Sequence, residues 1–423
     1  MNAQTSHDDH PRPAARRPPR SRAAWGAVGV AALAAAAVFN ARRARQAERD
    51  NPPLGRFLTV QGVRLHYLER GTGPVLVLLH GNGSMMQDFL SSGLVDEAAR
   101  THRVIVFDRP GYGHSERPRD RLWTPDAQAD LLAAALRAMG VAQAVVLGHS
   151  WAGAVAVALA DRHPDLVAGL VLAAGYYYPS ARLDVVALSA PAVPVLGDVL
   201  RHTISPLAGR LIWPRLMRKI FGPDPMPDKF RAFPREMALR PSQLRASAEE
   251  TAFMIPAAAA ARDRYARLRV PVAIIAGSGD RIVDPDDQSR RLHADIPGST
   301  FECVADTGHM VHQTATRAVL AAIASVTDRA AGRVAAPTNS SGDILSPPMQ
   351  TAGAIPGAGR QVQGSQARPV APPAKAAGAD VARVPQVPVR SQASPMPSAG
   401  CGAEPERTFS SIRRPTSGST DFQ

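Results

Sequence analysis

Cysteine, lysine and aromatic residues are all scarce in this chain of 423 residues. The two cysteines, Cys303 and Cys401, stand too far apart for zinc-ligand spacing and make no disulfide framework. Aromatics are 5% of residues, too few for platforms that stack single-stranded nucleic acid. Only Lys219, Lys229 and Lys375 are lysines among 49 basic residues, which with the heavy Ala content reads as coding bias and not as a functional signal. No Gly-Lys-Ser/Thr is present and no G-x-G-x-x-G follows a strand, which excludes a glycine-rich phosphate cradle. Hydrophobic residues are nevertheless 45%, enough for a sizeable core.

The net charge of +13 would suit a nucleic-acid partner if it lay on the folded body. It does not: residues 1–55 carry +5 and residues 332–423 carry +4, leaving +4 for the long central part. Nucleic-acid binding is therefore not expected.

Residues 1–22 are polar, Pro-containing and Arg-rich and are expected to be disordered. Residues 23–41 form an uncharged, Ala-rich run just long enough to span a bilayer, followed at once by Arg42, Arg43 and Arg45. The run is read as an uncleaved, single-pass signal anchor, because cleavage after it would need a small-x-small site that is not evident. A cleaved signal and a soluble Ala-rich helix are the other readings. Both flanks are basic, and the slightly larger upstream share favours the N-terminus in the cytoplasm with the body outside. Residues 42–55 are expected to be a linker. Residues 332–423 hold 13 Pro and 10 Gly without helical or strand periodicity, and are expected to be a disordered tail.

Residues 56–331 alternate short aliphatic runs with longer amphipathic stretches. The runs are Val75–Leu79, Arg103–Phe107, Ala144–Leu147, Leu166–Leu172, Val270–Ile275 and Thr300–Val304. This predicts an α/β domain, a mostly parallel sheet with helices on both faces. Two further strands flanking Gln61-Gly62 predict an edge hairpin. Residues 177–262 break the rhythm with many Pro and bulky apolar residues, and are expected to be an inserted helical cap.

The chemistry is concentrated at the ends of three strands. Gly148-His149-Ser150-Trp151-Ala152 lies between an apolar strand and a helix, where a serine on a sharp turn projects as a nucleophile. Ala152 takes the last small position in place of the usual Gly. A serine in a Gly-rich turn is more often ordinary; its place between strand and helix is what changes the reading. Asp280 lies just past Val270–Ile275, and His309 follows Thr300–Val304, so both reach the same edge as Ser150. The order Ser150, Asp280, His309 suits a nucleophile, an orienting acid and a base. Asp284 precedes Pro285 and is better read as a helix N-cap. His312, one turn after His309, is expected to pack or to line the entrance, and His149 and His114 to make local hydrogen bonds. His80-Gly81-Asn82-Gly83 follows Val75–Leu79, so the backbone N–H groups of Asn82 and Trp151 are candidate oxyanion donors. Tyr176 and Tyr177 enter the cap from the sheet edge and are candidate pocket residues.

With these segments, and with Phe107-Asp108-Arg109-Pro110-Gly111-Tyr112-Gly113-His114-Ser115, the chain resembles the α/β-hydrolase superfamily over about residues 56–330. Within it the body is similar to the group of haloalkane dehalogenases, epoxide hydrolases and cofactor-free haloperoxidases. The resemblance implies an eight-stranded sheet with the first strand antiparallel and a cap after strand six. It also implies the roles already named for Ser150, Asp280, His309, Asn82 and Trp151. Dehalogenases and epoxide hydrolases attack with Asp. Ser150 would leave an ether that water does not cleave as it cleaves an ester, so acyl transfer is expected instead. The expected activity is a carboxylic-ester hydrolase acting on a hydrophobic or uncharged acyl compound, with no metal and no organic cofactor. A C–C bond hydrolase of the meta-cleavage type and a non-catalytic hydrolase-fold ligand receptor are the other readings.

Overall fold

The computed structural model describes residues 22–335. Residues 1–21 and the tail from residue 336, both expected to be disordered, lie outside the described residues.

Eight strands form one sheet: β1 (Arg56–Val60), β2 (Val63–Arg70), β3 (Val75–Leu79), β4 (Arg103–Phe107), β5 (Ala144–His149), β6 (Val167–Ala173), β7 (Val272–Gly277) and β8 (Thr300–Val304). Their spatial order is β1-β2-β4-β3-β5-β6-β7-β8. β2 pairs antiparallel with both β1 and β4, and every other pairing is parallel. The strand that runs against the rest is therefore the second and not the first, because the tight Gln61-Gly62 turn reverses the chain before it joins the sheet.

Strands buried on both faces read as continuous apolar runs, and β5 and β7 are buried along their whole length. Alternate side chains reach opposite layers. Val77, Leu79, Ile105, Phe107 and Val146 pack on one face against α4 (Pro125–Ala138) and α5 (Ala152–Arg162). Leu76, Leu78, Val104, Val106 and Leu147 pack on the other, against α2 (Gln87–Ser92), α3 (Leu94–Ala98) and α13 (Thr316–Ala335). α4 begins as its sequence dictates: Thr124 accepts from the Ala127 N–H at 3.2 Å, and Pro125 fills the first turn.

Between β6 and β7 the chain leaves the sheet to build the helical cap. Its helices are α6 (Leu183–Ser189), α7 (Leu196–His202), α8 (Ile204–Phe221), α9 (Arg235–Ala238) and α10 (Pro241–Tyr265). The short α11 (Arg291–Asp295) and α12 (Val311–Thr314) follow β7 and β8.

Helix α1 (Arg22–Asp50) is long and apolar enough in its first part to cross a membrane; a signal sequence would pass the same test. It continues without a break through residues 42–50, the stretch expected as linker. The physical reason is tertiary. Asn40 donates to the carbonyls of His202 and Thr203 at 3.0 and 2.7 Å, and Glu48 pairs with Arg240 at 2.7 Å. Ala47 joins an apolar cluster with Met217, Phe221, Phe230, Phe233 and Met237 of the cap. The helix thus has a docked C-terminal half and an exposed N-terminal half.

Candidate active site

The turn from β5 into α5 forces its central residue into a backbone region that side chains rarely adopt: Ser150 has φ +56°. Gly148 lets the turn close, because a Cβ there would stand 2.6 Å from the Ala152 carbonyl oxygen. Ser150 is held half-buried, its N–H donating to the Ala173 carbonyl at 2.8 Å. The side chain faces His309, whose Nε2 lies 2.9 Å from Ser150 Oγ. On its other side His309 Nδ1 lies 2.7 Å from Asp280 Oδ2. Asp280 is fixed in turn, since its Oδ1 accepts the N–H groups of Ile282 at 2.7 Å and Val283 at 3.0 Å. Asp284 instead accepts the N–H groups of Asp286 and Asp287 at the head of the following helical segment, as an N-cap does.

The loop after β3 faces this row. Its side chains are tied down: Asn82 donates to Thr251 Oγ1 at 3.0 Å and to the Ser247 carbonyl at 3.2 Å, both on α10, and its Oδ1 lies 2.9 Å from the Tyr112 hydroxyl oxygen. Trp151 is buried beside the elbow, and the Arg109 guanidinium lies over its ring at 5.1 Å.

The two tyrosines part company. Tyr176 sits between α10 and the turn that follows Asp280, in a cluster with Ala258 and Val283, and bonds Ser180. Tyr177 is fully buried in the sheet–helix core, with its ring against Gly153 of α5 and edge-on to Tyr265.

Two groups escaped sequence reasoning. The first is Glu250 on α10, which takes Arg109 Nη2 at 3.0 Å and the Tyr112 hydroxyl at 2.7 Å. Arg109 also donates to the carbonyls of His80 and Gly81 at 2.7 and 3.0 Å, so the pair ties the loop after β3 to the cap. Its signal was the buried stripe Gln243, Ala246, Glu250 at helical spacing, two of whose three members are polar. The second lies behind His309. His149 Nε2 lies 3.1 Å from the His309 carbonyl oxygen, and His312 Nε2 lies 2.9 Å from Asp88 Oδ1. His149 was expected to bond locally, but its partner stands 160 positions away; His312, expected to pack or to line the entrance, is buried with its ring edge-on to that of His149. Asp88, His149 and His312 bring three potential metal-ligand atoms within 4.8 Å of one another, all buried.

Electrostatics follow burial. Burial alone would raise the Asp88 carboxyl, but the charge and hydrogen bond of His312 outweigh it and hold Asp88 below the usual carboxylate range. Burial, then His312 and His309, push the His149 imidazole well below its ordinary value. His80 is pushed down to about 4, first by burial and then by Arg109. Two cavities lie away from this row. One of about 360 Å³ separates α1 from the cap beside Trp213 and Phe233, and one of about 420 Å³ lies beside His114 and Arg240.

The same combination of fold and sequence recurs in known proteins. A family model described as alpha/beta hydrolase fold matches residues 74–316, more than half of the chain. A 2-hydroxymuconate semialdehyde hydrolase of Pseudomonas sp. (strain CF600) is 37% identical over 136 residues, covering 31% of this chain and 48% of that protein. The alignment thus spans about half the length of that relative. The uncharacterized hydrolase YugF of Bacillus subtilis (strain 168) is 28% identical over 283 residues, covering 61% of this chain and 92% of its own length. Among solved structures, a thermophilic esterase from Thermogutta terrifontis shares the fold with a TM-score of 0.53 at 23% identity, covering 65% of this chain and 99% of that one. Matched by the family model across sheet, elbow and cap, the chain belongs to the alpha/beta hydrolase fold family.

Proposed function

We propose that the protein is a serine hydrolase that cleaves carboxylic esters of hydrophobic or uncharged acyl groups. The observation that carries this is the single imidazole of His309, bonded to Ser150 on one side and Asp280 on the other. In this reading Ser150 Oγ attacks the acyl carbonyl while His309 Nε2 takes its proton. Asp280 holds the Nδ1–H and favours the imidazolium that forms. The Asn82 and Trp151 N–H groups stabilise the oxyanion. Collapse expels the alcohol, protonated by His309, and water then cleaves the acyl-enzyme by the same route. Each residue needed for this cycle comes from the chain itself. Helix α1 serves as a single-pass anchor, with the body outside the cytoplasm.

A fluorophosphonate should label Ser150, and a panel of acyl esters of increasing length should be turned over. Labelling that persists in the Ser150→Ala chain would sink the proposal. The likeness to 2-hydroxymuconate semialdehyde hydrolase supports a second reading, C–C bond hydrolysis at the same serine. Turnover of a coloured dienoate in preference to every ester on the panel would select it.

A further inference from the structure

The cap is apolar on the outside as well as the inside. Among the exposed large apolar side chains of the described residues, eleven fall between Val186 and Leu216 and six lie on α1. Val195 is 77% and Leu211 81% exposed, values that a helix packed for a soluble surface does not need. On α8 the exposed side chains Ile204, Leu207 and Leu211 recur at i, i+3 and i+7, one stripe along one face. The opposite face is already used, with Met217 and Phe221 buried in the cap's own core. A helix apolar on both sides belongs in a core or in lipid. Within this stretch Asp198 pairs with Arg119 and Arg201, and Arg210 with Glu236.

The position of α1 says which occupant suits this face. Asn40 binds the carbonyls of His202 and Thr203, the link between α7 and α8. The exposed apolar half of α1 therefore departs from the point where Val199 and Ile204 are exposed. If α1 crosses a bilayer, its exit point puts the α7–α8 link at the bilayer surface. Charge agrees. α8 contains no acidic residue, and its Arg215, Arg218 and Lys219 are exposed, as are Arg42 and Arg45 just past the apolar run of α1. Such a basic border suits anionic headgroups.

We propose that the outer face of α6–α8 is a lipid-contact surface that rests in an anionic phospholipid bilayer beside α1. This rests on the membrane reading of α1. α8 also ends at the catalytic row, where the Ile220 carbonyl accepts the His309 N–H at 3.0 Å. The helix that meets lipid at one end thus borders the reacting groups at the other, and the substrate it would admit is an acyl lipid already in the membrane.

The full-length chain, reconstituted in vesicles of phosphatidylcholine and phosphatidylglycerol, tests this with nitroxide labels at Val30→Cys, Leu211→Cys or Leu122→Cys. The signal of the unsubstituted chain taken through the same labelling is subtracted. Leu122 is exposed on the body, outside the cap and α1. Labels at Val30 and Leu211 should collide more with oxygen than with a nickel chelate, and the label at Leu122 should do the reverse. If Val30 lies in lipid while Leu211 behaves as Leu122, the lipid-contact surface is wrong and the anchor stands. If Val30 also behaves as Leu122, the anchor reading falls and this surface with it. Spin–spin broadening at Leu211 would show a second copy of the chain on this face and would overturn the proposal. In support, Leu207→Glu/Leu211→Glu should lower turnover of a vesicle-borne ester at least about tenfold, since each leucine gives up apolar burial, and leave a short soluble ester unaffected. Equal loss on both esters would count against it.

Discussion

Arg109 and Glu250 form an ion pair in which both side chains are 0% exposed, and it bolts the loop after β3 to the longest helix of the cap. Burial alone would raise the Glu250 carboxyl, but Arg109 overrides it and keeps Glu250 below its ordinary range, so the pair is charged. Glu250→Ala should leave a buried guanidinium without a counter-charge and cost about 3–5 kcal/mol. Glu250→Gln, which keeps acceptor geometry and loses charge, should cost less. Denaturant midpoints of the three chains check the order. A Glu250→Ala chain as stable as the parent would refute the role given to the pair.

The acid assignment separates two neighbouring aspartates. Asp280→Asn should remove the partner that fixes the His309 tautomer and lower kcat by about 10³–10⁴-fold. Asp284→Asn should leave kcat essentially unaltered, since Asn caps a helix as well as Asp. Steady-state rates on one ester decide it, and comparable losses in both variants would remove the distinction.

The legibility of this chain followed the range of the interactions. β3 and β4 begin and end where their aliphatic runs do, because strands buried on both faces have no other way to read; β8, at the sheet edge, matches its run as well, though none of its residues is fully buried. Ser150, Asp280 and His309 were legible because each stands at a strand end that the pattern located. α2 and α3, of six and five residues, are too short to show a period and went unread. Residues 42–50, expected as part of a linker, are helical for another reason. Their helix is set by Asn40, Ala47 and Glu48 meeting cap residues far along the chain. Glu250 escaped likewise, since its partner Arg109 stands 141 positions away. The burial of Tyr177 against Gly153 and Tyr265 was not legible either, since the direction in which the chain turns after β6 is not written in Gly175-Tyr176-Tyr177.

Acid stability should carry the mark of the buried imidazoles. His80 is neutral in the fold with its pKa pushed down to about 4, against an ordinary value of 6.5. Below pH 6.5 the unfolded chain binds a proton that the folded chain refuses, so folding stability must fall with falling pH. The loss runs from about pH 6.5 down to about 4 and amounts to on the order of 3 kcal/mol from this one residue. His149, lowered for the same reason, shifts the balance in the same direction. Replacing His80 with Gln, which can still accept the Arg109 N–H now 3.0 Å from His80 Nε2, should flatten that acid limb. Unfolding midpoints between pH 4 and 7 are the measurement, and an unchanged slope would disprove the assignment.

The contact between the cap and the base predicts a defect that no polar group accounts for. A Cβ on Gly308 would stand 2.4 Å from the Gly222 carbonyl oxygen and 2.6 Å from that of Phe221. These are backbone atoms at the end of α8 and cannot rotate aside. Gly308→Ala must therefore part the loop carrying His309 from the cap by roughly 1 Å, a misplacement that costs on the order of 10²-fold when reacting groups are held in register. The loss should fall on kcat more than on KM, because the distance from His309 Nε2 to Ser150 Oγ governs proton transfer. Fluorophosphonate labelling should slow in parallel, since it needs the same proton transfer. Gly332→Ala on α13 meets nothing within 4 Å and serves as the control, with kcat unaltered. A Gly308→Ala chain that keeps kcat within about threefold of the parent would show that the base does not depend on the cap for its position.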